Sequence, residues 1–350
     1  IDTGEGHPTP ETLGIRRFYL YVASLATLVL LALGAGRVVH VILSEGYSSA
    51  FSSSVVLSER SGIWTHALRS ALAAAIVGGG VWAVHWFVFA RRDFESSLRW
   101  AYLYVFAILG GIFTTMISTG LVVAGVLMWA FRAPVADPTV EHFEYLPAAI
   151  ASLGVGISIW SYHWWRAQHE AGQSPLLKLS ANRAYEYIVA ALGLSALSFA
   201  SFAAIDTGLA VLIEQSRELI SGDDLWREQF AVTLTLALIG GSFWGYYWRS
   251  AQRRLALDDT SSERSSLSRK VFTFLVLGIG VLALLISASA TLFVFLRDAL
   301  DASLALDTLR DIRPAIAVAL TAGFILPYQW SVYRADRLSR SEVRQETVQP

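Results

Sequence analysis

The sequence contains no cysteine. Disulfides, thiolate metal sites and a cysteine nucleophile are therefore excluded. Charge is scarce too: Asp, Glu, Lys and Arg make up 16% of 350 residues, where a soluble domain carries about 25%. The formal net charge is −1, so no field of one sign draws the chain to a polyanion, and nucleic acid is not among the expected partners. Glycine-rich phosphate loops and nucleophile elbows are missing, which leaves no signature of a nucleotide-binding or hydrolytic module. The long apolar stretches hold no Asp, Glu, Lys or Arg near their centres, and this argues against a carboxylate proton relay or a voltage sensor. What is abundant is apolar area: 54% hydrophobic residues, 12 Trp and 26 Gly, with a mean hydropathy of +0.49. Such a chain reads as an integral membrane protein.

A helix needs about 20 apolar residues to cross roughly 30 Å of hydrocarbon. Eight stretches between charges meet this: 18–36, 70–90, 100–131, 148–165, 187–205, 229–248, 271–296 and 314–333. Helices follow because lipid offers no partner to backbone polar groups, and the alternating strands of a barrel are missing. The expected fold is thus all-α with eight transmembrane helices. The side holding both termini and the segments near 91–99, 166–183 and 249–270 carries 18 of the 27 Lys and Arg. That side is expected to be cytoplasmic, in a multi-pass protein of the cell membrane. The segments on the other side are longer. The Ser-rich stretch 48–54 reads as a loop. Either the odd-numbered helices project beyond the bilayer or short amphipathic helices lie on the outer surface; segments 208–220 and 292–306, which mix acids with aliphatics, fit the second view.

A repeat runs through the chain, the kind of signal to seek first. Odd-numbered helices open on Tyr19-x-Tyr21, Tyr102-x-Tyr104, Tyr185-x-Tyr187 and Phe272-x-Phe274. Even-numbered helices close on Trp82-x-x-His85-Trp86, Trp160-x-x-His163-Trp164, Trp244-x-x-Tyr247-Trp248 and Leu326-x-x-Gln329-Trp330. The openings are spaced 83, 83 and 87 residues apart and the closings 78, 84 and 82. Each unit is a two-helix hairpin, so the copies are parallel rather than inverted. The expected organisation is a polar arm (1–14), repeats at 15–97, 98–180, 181–266 and 267–340, and a polar tail (341–350). Eight residues before each closing Trp stands a small residue: Gly78, Gly156, Gly240 or Ala322. These positions let a second helix approach closely. Trp86, Trp164, Trp248 and Trp330 are expected to anchor the hairpins at the headgroup level, with bound lipid around them. A Tyr hydroxyl bonded to the His or Gln of the same hairpin is the local contact this spacing suggests.

His85 and His163 occupy equivalent positions near the cytoplasmic ends of their spans. If they face one another they could ligate a b-type haem or a chlorin; otherwise they are interfacial hydrogen-bonders, replaced in the later repeats by Tyr247 and Gln329. The clusters Arg37–His40–His66 and Glu141–His142–Glu144 lack the convergent ligands of a metal site.

The tyrosine-led odd helices and the W-x-x-H-W closings together resemble a bacterial membrane family known as domain of unknown function 5671, over about 15–340. The resemblance implies a polytopic membrane protein and brings no activity with it. Three functions remain open. The first is a non-catalytic subunit or scaffold, bound to other membrane proteins or to itself. The second is a haem-dependent electron-transfer or quinone-reactive protein. The third is a pore or carrier for a small neutral or lipophilic solute, lined by hydroxyls such as Thr115, Ser198 and Ser287.

Overall fold

The computed structural model describes residues 10–51, 65–91, 93–94, 96–131, 139–170, 175–214, 225–257, 263–264 and 266–346. Most of the polar arm (1–9), the last four residues and the stretch 215–220 lie outside them. All regular structure among the described residues is helical. In chain order the helices are α1 (Pro10–Phe51), α2 (His66–Ala83), α3 (Ser97–Ala101), α4 (Leu109–Ala130), α5 (Thr139–His142), α6 (Leu146–His169), α7 (Pro175–Glu214), α8 (Leu225–Leu257), α9 (Leu267–Leu300) and α10 (Leu306–Glu346). Side-chain oxygens cap two of the N-termini. Thr65 accepts from the Leu68 N–H at 3.2 Å and Ser266 from the Arg269 N–H at 3.4 Å, each satisfying a donor that the helix itself leaves open.

Seven helical stretches are long and apolar enough to cross a membrane: Leu13–Phe51, His66–Phe89, Ser97–Ala130, Leu179–Ile213, Trp226–Leu255, Leu267–Leu300 and Leu306–Leu338. They point to a multi-pass membrane protein. The fourth expected span lies in α6, which has 24 residues and carries no formal charge from Leu146 to Trp165. It is not among the seven; Trp160, Tyr162, His163, Trp164 and Trp165 make its C-terminal part more polar.

Beyond the expected spans, α1, α7 and α9 continue without a break. Residues 208–214 are the end of α7 and 292–300 the end of α9, so these parts are helix extensions and not separate surface helices. Residues 48–51 close α1 and are not loop. There the hydroxyls of Ser48 and Ser49 bond to the carbonyls of Ser44 (2.6 Å) and Gly46 (3.0 Å), which lets a serine-rich run stay helical.

The chain divides into two compact units, residues 1–125 with 136–185, and residues 126–135 with 186–350. Within each unit, hairpin helices touch backbone to backbone. A Cβ on Gly78 would lie 2.5 Å from the Leu31 amide nitrogen. One on Gly156 would lie 2.9 Å from the Thr115 nitrogen, and one on Gly240 would lie 2.6 Å from the Leu197 nitrogen. Ala322, buried, holds the matching place in α10. In the same hairpin, a Cβ on Gly280 would come nearest to the Leu326 side chain, at 2.7 Å.

Candidate functional site

In the first unit the hairpins meet at the end where the tyrosines and tryptophans collect. α2 runs into a π-helical turn, Val84–Phe89, and a second one, Tyr102–Ile108, joins α3 to α4. A π turn carries an extra residue and re-aims its side chains. Here Trp86 and Tyr102 turn inward, and both are buried. Between the two turns, the short α3 carries Arg99, whose residue exposure is 0%.

An unpartnered guanidinium in such a place would be prohibitively costly. Arg99 is fully engaged. Its Nε and Nη2 each donate to Glu170 at 2.6 Å, forming a bidentate pair. Its Nη1 donates to the Ala90 carbonyl at 2.6 Å. The guanidinium lies 4.5 Å from the Trp86 ring centre, within cation–π range. Glu170, at the end of α6, also pairs with Arg166 at 2.6 Å. Beside this group, Tyr21 donates to Asp93 at 2.9 Å, and Asp93 pairs with Arg17 at 2.8 Å.

The second unit holds a matching group. Arg269, 1% exposed, donates from Nε to Asp336 at 2.6 Å and from Nη2 at 3.1 Å. Its Nη1 lies 3.3 Å from the Tyr187 hydroxyl, and its guanidinium is 5.6 Å from the Trp248 ring centre. Tyr187 donates to Glu263 at 3.0 Å. Arg254 pairs with Glu186 and stands 3.7 Å from Glu263. The rings correspond as well. Trp86 sits 5.1 Å from Tyr102, and Trp248 sits 5.2 Å from Phe272. Trp82 meets Tyr162 edge-on at 5.8 Å, and Trp244 meets Tyr328 edge-on at 6.2 Å. Trp86 donates to the Tyr162 hydroxyl, and Trp248 to that of Tyr328.

His163 is buried in the first group, with the rings of Trp82, Trp86, Tyr102 and Tyr162 at 5.0–6.0 Å. Its Nδ1 lies 2.8 Å from the Ile159 carbonyl, so that nitrogen carries the proton. Its Nε2 then accepts from the Tyr102 hydroxyl, at 3.4 Å. This is the Tyr–His contact expected within one hairpin. His85 lies at the rim. Its Nδ1 is 2.8 Å from the Val81 carbonyl, and its ring neighbours are Tyr19 and Phe89.

A bis-histidine haem requires two Nε2 atoms free to bind iron from opposite sides of a porphyrin-wide slot. The Tyr102 hydroxyl occupies the His163 Nε2, and four rings close around that imidazole. The residues do not fit haem or a chlorin. Among the described residues there is no group of three His, Asp or Glu placed to hold a metal ion. His142 instead donates from Nε2 to the Gly125 carbonyl at 2.9 Å.

The four tryptophans expected at the headgroup level divide. Trp86 and Trp248 are only 2% and 3% exposed, and their indoles pack against the buried Arg–Tyr groups. Trp164 packs on Tyr185 at 5.1 Å, and Trp330 is exposed.

Reading the sequence for span boundaries passes over the two buried arginines, because charges serve there only as edges. A signal existed. Arg99 and Arg269 each stand three residues before an aromatic opening, and Glu170 and Asp336 each stand six residues after a closing Trp. The first and third repeats have Arg92 and Arg254 at that acidic position, so only the second and fourth can form the pair.

Helical hairpins in close backbone contact, each unit carrying one buried arginine–carboxylate pair at its aromatic end, define the class: an all-helical chain with membrane-spanning character. The chain belongs to the family described as Domain of unknown function (DUF5671), whose model matches residues 17–143 and 183–324. No curated protein and no solved structure matches it.

Proposed function

We propose that the chain is a non-catalytic integral membrane subunit or scaffold, with eight spans in four tandem parallel hairpins and both termini on the cytoplasmic side. The observation that carries this reading is the closure of its buried ionic groups. Arg99 and Arg269 bind carboxylates of their own units and are sealed by tryptophan, so they hold helices together and present no reactive atom. The two stretches matched by the family model begin 166 residues apart (183 − 17), which supports a duplication of hairpin pairs. Apolar surface for lipid or other chains is plentiful: Leu33, Ile76, Phe199, Ile286 and Phe324 are all more than half exposed. Faces of this kind mark contact with lipid or protein.

A lined pore has less support. The hydroxyls of Thr114, Thr115, Ser158, Ser198, Ser201, Thr235 and Ser287 all bond to carbonyls of their own helices, as packing residues do.

The test is extraction from native membranes in mild detergent, with cross-linking beforehand. The scaffold reading expects a stoichiometric membrane partner, or a discrete homo-oligomer. Purified monomer that carries a solute across liposomes faster than empty vesicles do would overturn it.

A further inference from the structure

In the first unit one oxygen joins two aromatic-end groups. The Trp82 Nε1–H donates to the Tyr102 hydroxyl at 2.9 Å, and that hydroxyl donates onward to the His163 Nε2. The second unit has Trp244, Phe272 and Gln329 in the corresponding places, and the ring distances around them repeat to within 0.4 Å. Phenylalanine brings no oxygen. The consequence is visible in the polar atoms: among the described residues, the buried Trp244 Nε1 and both Gln329 amide atoms, Oε1 and Nε2, have no hydrogen-bond partner. Gln329 has an exposure of 0%. Orphaned buried donors and acceptors are rare, and one alone costs as much as a lost hydrogen bond or more. Here a donor and a complete amide are orphaned at the two positions whose counterparts in the sister unit share one hydroxyl.

We infer that a hydroxyl-type oxygen from outside the protein binds in the second unit at the place that the Tyr102 oxygen fills in the first. It accepts from the Trp244 Nε1–H and donates to the Gln329 Oε1. The Gln329 Nε2 offers a further donor to the same ligand, which matches the roughly three bonds a buried water makes. A ketone or ester carbonyl could only accept, so the chemistry is that of water or an alcohol. The alcohol source has a route. An apolar groove of about 500 Å³ lies along α7, α9 and α10, and its lining residues Val276 and Ile325 stand one helical turn from Phe272 and Gln329. An alcohol whose hydrocarbon chain lies in that groove would bring its hydroxyl toward the Gln329 end.

The decisive experiment is a crystal structure of the full chain at a resolution that orders water, paired with the Phe272→Tyr variant. The inference expects a density peak about 3 Å from both the Trp244 Nε1 and the Gln329 amide, replaced by the tyrosine oxygen in the variant. An isolated peak identifies water; a peak continuous with elongated density in the groove identifies a lipid alcohol. A Gln329 amide bonded directly to Trp244, with no peak between them, overturns the inference. Thermal melting in detergent gives a second readout. Phe272→Tyr holds covalently an oxygen that the parent must immobilise from outside, at about 0–2 kcal/mol, so it should raise Tm by up to a few degrees, and Gln329→Leu should reduce that gain by removing the acceptor of the hydroxyl proton. A lowered Tm for Phe272→Tyr also overturns the inference.

Discussion

At the residue scale, the chain combines two kinds of polar economy. Lone hydroxyls bond to their own helix, while the two buried arginines bind across helices. Removing one partner of a buried pair strands the other charge, at about 3–5 kcal/mol. Arg99→Ala and Arg269→Ala should each lose stability of that order, read as a lowered midpoint in detergent melting. Arg99→Lys should recover little of it, because an ammonium cannot reproduce the fork that holds Glu170. A lysine variant that melts like the parent would show that charge alone matters there. Tyr102→Phe strands the Trp82 N–H and the His163 Nε2 in the first unit and should cost about 1–3 kcal/mol. Phe272→Tyr, the reverse change in the second unit, should act in the opposite direction. The buried pairs were hard to read from sequence for a physical reason: Arg99 and Glu170 are 71 residues apart, and linear spacing does not say which of several terminal charges turn inward.

At the element scale, neighbouring glycines separate contact from filler. Gly240 lies against the backbone of α7, whereas an added Cβ on Gly241 meets nothing within 4 Å. Gly240→Ala should therefore destabilise by about 1–3 kcal/mol through overpacking. Gly241→Ala should leave stability unchanged or raise it by about 0.4–1 kcal/mol, through reduced backbone freedom in the unfolded chain. Equal melting shifts for the two would count against helix contact at 240. The small positions at Gly78, Gly156 and Gly240 were legible because their spacing before a closing Trp is constant. The π turns were not. Each is set by how the inward side chains pack, and the residues of Tyr102–Ile108 read as ordinary apolar helix.

At the scale of the whole molecule, topology is the open physical question, and the absence of cysteine makes it accessible. Single cysteines introduced at Thr3, Ser341 and Ser303 can be labelled without background. The reading of both termini inside expects Thr3→Cys and Ser341→Cys to be protected from a membrane-impermeant maleimide in intact cells, and Ser303→Cys to be labelled. Labelling at only one terminus would mean an odd number of crossings and would remove α6, or another helix, from the set of spans.

The sequence by itself determined the helical class and stretches long and apolar enough to cross a membrane. Long uncharged runs can satisfy their backbone in lipid only as helices, and that constraint needs no knowledge of neighbours. The sequence also carried the family resemblance and the small residues ahead of each closing tryptophan. Only the tertiary structure decided which charges and indoles are inside. It paired Arg99 with Glu170 and Arg269 with Asp336, buried Trp86 and Trp248 against those pairs, and wrapped His163 in four rings. It also buried Trp244 Nε1 and the Gln329 amide in the second unit, whose aromatic opening has a phenylalanine where the first unit has a tyrosine. These outcomes depend on contacts between residues distant along the chain, whose energies exist only once the hairpins have packed.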